Sequence, residues 1–102
     1  MDKFDSEVYS IVREVPYGMV ITYGLIARLI GMSKHARKVG RALANVPEAL
    51  KLPCHRVLNC QGRTAPGWPE QRVLLEAEGI VFKRNGCVDL HIYLWDEIKH
   101  IV

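Results

Sequence analysis

Cys54, His55 and Arg56 follow one another in the chain, between Pro53 and Val57. A thiol attacks only as the thiolate, and a free cysteine is mostly protonated at neutral pH. Imidazole is the usual base for such a nucleophile. A histidine in that role is commonly oriented by a carboxylate, and two carboxylates follow at Glu76 and Glu78. The set has the parts for covalent transfer onto Cys54. A buried cysteine beside an unrelated histidine gives the same dipeptide, so the bare pair leaves both readings open.

Something must carry this string and aim it. Phe4, Val8, Ile11, Val12 and Val15 recur at helical spacing, which predicts an amphipathic helix over 3–14. Pro16-Tyr17-Gly18 ends it in a turn. Met19 to Ile21 is a short β-like run. Thr22 can cap a second helix that buries Leu25, Ile26, Leu29 and Ile30. Gly31-Met32 breaks that helix, and Ser33 can cap a third, about 34–45, burying Val39, Ala42 and Leu43. Two helices joined by a tight glycine turn, the second one basic, form a helix-turn-helix pattern. Beyond the Cys54 string, Pro69 opens another helix with Val73, Leu74 and Leu75, and Gly79 stops it. Ile80 to Phe82 and Val88 to Tyr93 read as β-like runs around Asn85-Gly86. The chain is therefore expected to be a mostly helical α+β domain spanning 1–102.

The third helix carries Ala36, Gly40 and Ala44 at i, i+4 and i+8, with Arg37 and Arg41 beside them. Gly40 costs roughly 1 kcal/mol in a helix interior relative to Ala. A ridge of small residues lets a helix backbone approach a surface closely while the arginines reach past it, which suits a DNA groove. Packing against another protein helix would also use such a ridge. Charge bears on the choice. Residues 28–63 hold eight Lys and Arg against Glu48 alone, a local +7, whereas the remainder sums to −4, out of a total of +3. A basic centre between acidic flanks suits a polyanion.

Other classes recede. Hydrophobic residues make up 49% of the chain, too many for disorder, and no apolar run approaches the ~20 residues of a membrane helix. The start, Met1-Asp2-Lys3-Phe4-Asp5, lacks the apolar core of a signal peptide, so a soluble, cytoplasmic monomer is expected, or a nuclear one in a eukaryote. Three cysteines, Cys54, Cys60 and Cys87, are an odd set that matches no zinc signature. No metal or cofactor is implied, and Cys60 and Cys87 are read as structural. His35, His91 and His100 are read as surface or core residues.

Pro53-Cys54-His55-Arg56-Val57 resembles the active-site motif of the O6-alkylguanine-DNA alkyltransferases, which move an alkyl group from guanine to their own cysteine. The resemblance runs from about Phe4 to Phe82. It takes in Thr22-Tyr23-Gly24, Ala36-Arg37-Lys38-Val39-Gly40 and Leu74-Leu75-Glu76-Ala77-Glu78-Gly79. It implies a winged-helix-like helix-turn-helix domain of the kind found in the C-terminal part of these proteins, bound to double-stranded DNA containing alkylated guanine. The family's recognition helix lies in the minor groove. Cys54 matches the alkyl-accepting nucleophile, His55 the base that reaches it through water, and Glu78 the carboxylate orienting that histidine. Arg37 matches the arginine finger that fills the gap left by the flipped base, and Tyr23 the tyrosine that helps rotate the nucleotide out. Ala36, Gly40 and Arg41 complete the DNA-facing set, with Lys38 and Arg41 expected on phosphates.

This sequence departs from the family pattern in three ways. The N-terminal domain of many members is missing. The family's Asn immediately before Pro is Val46 here, with Asn45 one position earlier, which puts its support of the Cys54 turn in doubt. The segment from Cys60 to Gln71 is short and atypical, leaving Trp68 and Val57 as candidate walls of a guanine pocket. These departures point toward the alkyltransferase-like proteins, single-domain relatives that bind alkylguanine without repairing it and flag it for nucleotide excision repair, whose proteins would then be partners. Their usual motif has Trp where this chain has Cys54. With Cys in place, the sequence favours an active single-turnover transferase, with the damage sensor as the alternative. A plain helix-turn-helix regulator leaves Pro53-Cys54-His55-Arg56 unexplained.

Overall fold

The computed structural model describes residues 2–96. Helix α1, Lys3–Glu14, starts at Asp2, whose carboxylate accepts from the Asp5 N–H at 2.8 Å, and buries Phe4, Val8, Tyr9 and Val12. Val15 is already extended, as a residue before proline prefers. Strand β1, Ile21–Thr22, pairs in parallel with β2, Val57–Leu58, so the chain just before α2 lies beside the chain just after Arg56. Thr22 then caps α2, Tyr23–Ile30, its hydroxyl accepting from the Leu25 N–H at 3.1 Å. Gly31 ends α2 at φ +86, a left-handed value that glycine takes without steric cost.

Helix α3, Ala36–Ala44, crosses α1 and α2 over a core of Val8, Val12, Ile26, Val39 and Val57. Ser33 does not cap it. The N–H of His35 bonds to the Met32 carbonyl at 2.9 Å, so one further turn intervenes, and His35 takes the cap position with no side-chain bond. After a 3-10 turn at Cys54–Arg56 and strand β2, α4 spans Glu70–Ala77. Leu75 of α4 packs with Val20, Leu58, Ile80 and Val88 in a second apolar cluster, while Val73 and Leu74 face outward. Phe82 bridges antiparallel to Val88 around Asn85-Gly86, but the expected strand from Val88 to Tyr93 turns into a short helix. Asp89 accepts from the His91 N–H and starts α5, Leu90–Tyr93. The result is a mostly helical α+β fold of winged-helix-like helix-turn-helix type. No helix among the described residues is long and apolar enough to cross a membrane.

Candidate functional site

Cys54 begins the 3-10 turn that feeds β2. Its N–H bonds to the Leu52 carbonyl at 2.8 Å, and the Arg56 N–H bonds to that of Pro53 at 3.0 Å. Asn45 plays no part in this turn: its side-chain amide donates to the Arg41 carbonyl at 2.9 Å. Burial pushes the half-buried thiol above its ordinary value, and a backbone hydrogen bond at Cys54 only partly offsets this. No direct hydrogen bond joins His55 to the thiol among the described residues. A proton passing between them needs a water, a relay that general-base chemistry allows.

Glu78 is the centre of the polar network behind the thiol. Its Oε2 lies 2.6 Å from His55 Nε2. Arg56 donates from Nε at 3.0 Å to both carboxylate oxygens and from Nη2 at 2.9 Å to Oε2, and the Gly18 N–H donates to Oε1 at 2.8 Å. Burial opposes the charge, but the hydrogen bonds from Arg56, Gly18 and His55 and the Arg56 charge outweigh it, holding the carboxyl below its ordinary range. When the neutral imidazole donates from Nε2 to this carboxylate, its Nδ1 is left as a bare acceptor, the form a base requires. Glu76 is excluded from this role: it is exposed and pairs with Arg72 one turn away.

Two residues without a sequence-based role hold the site together. Arg56 reaches the Val15 carbonyl with Nη1 at 2.9 Å, besides clamping Glu78. Gln71 is fully buried and bonds to His55, Val57 and Ala65. A signal was present, because Gln71, Leu75 and Glu78 stand at i, i+4 and i+7 and so share the inner face of α4.

In front of the thiol lies a cavity of about 280 Å³, lined by Tyr23, Gly40, Leu43, Ala44, Cys54, Ala65 and Trp68. Trp68 lines this cavity together with Cys54. Val57 does not: it is 1% exposed, paired with Ile21 in the core, because the parallel β1–β2 register turns it inward. Beside the cavity is an open groove of about 710 Å³ along α3, lined by Tyr23, Gly24, Ala36, Arg37, Gly40, Asn59 and Cys60. Tyr23 and Gly40 line both. Arg37 and Arg41 are exposed, but Lys38 sits over the Phe4 ring at 4.4 Å and faces α1, away from the expected phosphate contact. Cys87 is buried, whereas Cys60 is exposed on the groove and not packed in the core. Of the other histidines, His35 and His91 are exposed, and His100 lies outside the described residues. Among the described residues, no group of three His, Cys, Asp or Glu side chains is placed to hold a metal ion.

Residues 3–80 match the model of the 6-O-methylguanine DNA methyltransferase DNA-binding domain. The chain belongs to this family. Within the alkyltransferase family it is similar to a DNA base-flipping protein of Vibrio parahaemolyticus, 41% identical over 98 residues, covering 93% of this chain and 98% of the relative. The fold is similar to that of Schizosaccharomyces pombe Atl1 in complex with damaged DNA containing O6-carboxymethylguanine, with a TM-score of 0.83 and 38% identity, covering 94% of this chain and 97% of that one. A methylated-DNA–protein-cysteine methyltransferase of Methanosarcina acetivorans is 40% identical over 80 residues, covering 76% of this chain but only 51% of the relative. Likeness to the base-flipping protein and to Atl1 thus runs nearly end to end, whereas likeness to the methyltransferase stops at half its length. This reverses the weight given to the two readings of the sequence.

Proposed function

We propose that this protein recognises O6-alkylated guanine in duplex DNA, flips the nucleotide out and holds the base beside Cys54, marking the lesion rather than repairing it. The carrying observation is that the α3 groove and the thiol cavity lie side by side and share Tyr23 and Gly40 as lining residues. A base inside a duplex is out of reach of a pocket, and extrusion costs a few kcal/mol. A groove along α3 that adjoins a cavity with an aromatic wall suits that movement. The near-complete coverage of the base-flipping relative supports binding as the main activity. Burial of the thiol supports it too, since it raises Cys54 above its ordinary value and so disfavours the thiolate that transfer needs. A protein that marks damage needs a successor, and nucleotide excision repair proteins are the partners this reading implies.

A second reading rests on the Cys54, His55 and Glu78 geometry. Once a bound base has brought its alkyl carbon to the thiol, His55 can take the thiol proton through water. The S–C bond then forms as the C–O6 bond breaks, its electron pair stays with guanine, and the proton taken from the thiol ends on the departing base. One experiment separates the readings. The protein is incubated with an O6-methylguanine duplex, the affinity is compared with that for an undamaged duplex, and the intact protein is weighed. Lesion preference with unchanged mass supports the sensor. A gain of one methylene mapped to Cys54 replaces it with the transferase. Equal affinity for both duplexes overturns lesion recognition itself.

A further inference from the structure

The buried amide of Gln71 touches three segments that meet at the cavity. Its Nε2 donates to the His55 carbonyl at 3.0 Å and to the Val57 carbonyl at 2.9 Å, both on the turn that carries Cys54. Its Oε1 accepts from the Ala65 N–H at 2.6 Å, in the loop that forms the opposite wall of the cavity. The Trp68 N–H bonds in turn to the Ala65 carbonyl at 3.3 Å. The amide therefore spans the cavity's two sides from behind, and it is 0% exposed. Loop 60–69 is otherwise anchored at its far end, where Asn59 Oδ1 accepts from the Gln61 and Arg63 N–H groups and the Gly62 carbonyl accepts from Val88. Among the described residues, the Gln71 side chain is the hydrogen-bonded link between the Ala65–Trp68 stretch and the thiol turn.

We infer that Gln71 is a positioning residue that fixes the distance between the thiol wall and the Ala65–Trp68 wall, and thereby sets which O6-alkyl groups the cavity accepts. A leucine or methionine of similar volume would fill the same space. Neither would hold the two walls in register, since the buried Val57 carbonyl and the part-buried His55 carbonyl and Ala65 N–H would each lose this bond, and a polar group left unpaired away from water costs free energy. Specificity follows from a fixed width. A cavity whose walls can part does not discriminate by size, whereas one with tied walls rejects groups that do not fit. The inference rests on the lesion-binding reading above.

The test uses Gln71→Glu. Glutamate keeps the acceptor for the Ala65 N–H. Ionised, it faces the His55 and Val57 carbonyls with no donor, so burial and those oxygens raise its pKa. Protonated, it donates to one of them and restores most of the tie. The whole chain is titrated with duplexes containing guanine, O6-methylguanine or O6-benzylguanine from pH 5.5 to 8.5. The quantity read is the ratio of affinities for the two lesions. Unfolded protein binds no duplex, so any unfolded fraction lowers both affinities alike and cancels in the ratio. The wild-type ratio should be flat with pH. The Gln71→Glu ratio should approach the wild-type value at low pH and move toward unity by about tenfold as pH rises. Gln71→Met should show the collapsed ratio at every pH. A ratio for Gln71→Glu that matches wild type across the range, or a Gln71→Met ratio equal to wild type, overturns the positioning role. If wild-type protein binds both lesions no better than guanine, the lesion-binding reading falls and takes this inference with it.

Discussion

Glu78 carries a negative charge just past the last turn of α4, where the helix dipole disfavours it. Donors from Arg56, Gly18 and His55 compensate. Arg56 also stacks over the Tyr17 ring at 5.6 Å, and the Tyr17 hydroxyl donates to the Ala77 carbonyl, so the residues that orient His55 also fasten the end of α4 to the segment after α1. This predicts an acid signature. The folded carboxyl lies below its ordinary value, which is about 4.3 in an unfolded chain. The charged network therefore contributes its full stability at neutral pH and loses it as pH falls from about 4.3 through the lower folded value. Glu78→Gln should cost on the order of 3 kcal/mol at pH 7, as expected for an arginine stripped of its buried partner. The gap to wild type should narrow through that acid window in urea melts. A gap independent of pH would mean that Glu78 is not held ionised.

At the scale of elements, the proposed function bears most directly on α3. A Cβ built at Gly40 would touch only the Tyr23 ring, at 3.9–4.0 Å, an ordinary contact. Among the described residues, no helix packs so close to this position that it requires a glycine. Gly40→Ala should then stabilise the fold by up to about 1 kcal/mol through helix propensity, while weakening binding to every duplex because the added methyl stands in the groove. Thermal melts and binding isotherms on the same variant check this, and greater stability with unchanged DNA affinity would dissociate the ridge from DNA. Much of this helix was readable in the sequence, because Val39 and Ala42 set its inner face and Arg37 its outer one. Its start was not, since the Met32–His35 turn competes with capping by Ser33 and is set by the Gly31 conformation. The run from Val88 to Tyr93 also misled: its β-like composition yields to the Asp89 cap. In the site, Cys54, His55 and Glu78 were legible as a motif. The positions of Val57 and Lys38 were not, because the first depends on parallel pairing with Ile21 and the second on how α1 crosses α3.

Over the whole molecule, residues 28–63, which include α3, sum to +7 against −4 elsewhere. Such a charge recruits DNA of any sequence through counterion release, so this part of affinity falls with salt in proportion to the phosphates neutralised. Lesion recognition is a separate quantity, made only once a base has left the stack. Under the proposed function, the two arginines of α3 would serve different tasks. Arg37 lines the groove beside Tyr23 and Gly40, where an extruded nucleotide would pass, whereas Arg41 is exposed and lines neither the groove nor the thiol cavity. Arg41→Ala should therefore weaken binding to all duplexes alike and lower the salt slope by about one. Arg37→Ala should instead reduce the preference for a lesion-bearing duplex, and with it the fluorescence rise of 2-aminopurine beside the lesion, more than it reduces binding to undamaged DNA. Isotherms at several salt concentrations with both duplexes read the two effects independently. Arg37 would be only another phosphate contact if its removal changed the salt slope and left the 2-aminopurine signal at its wild-type level.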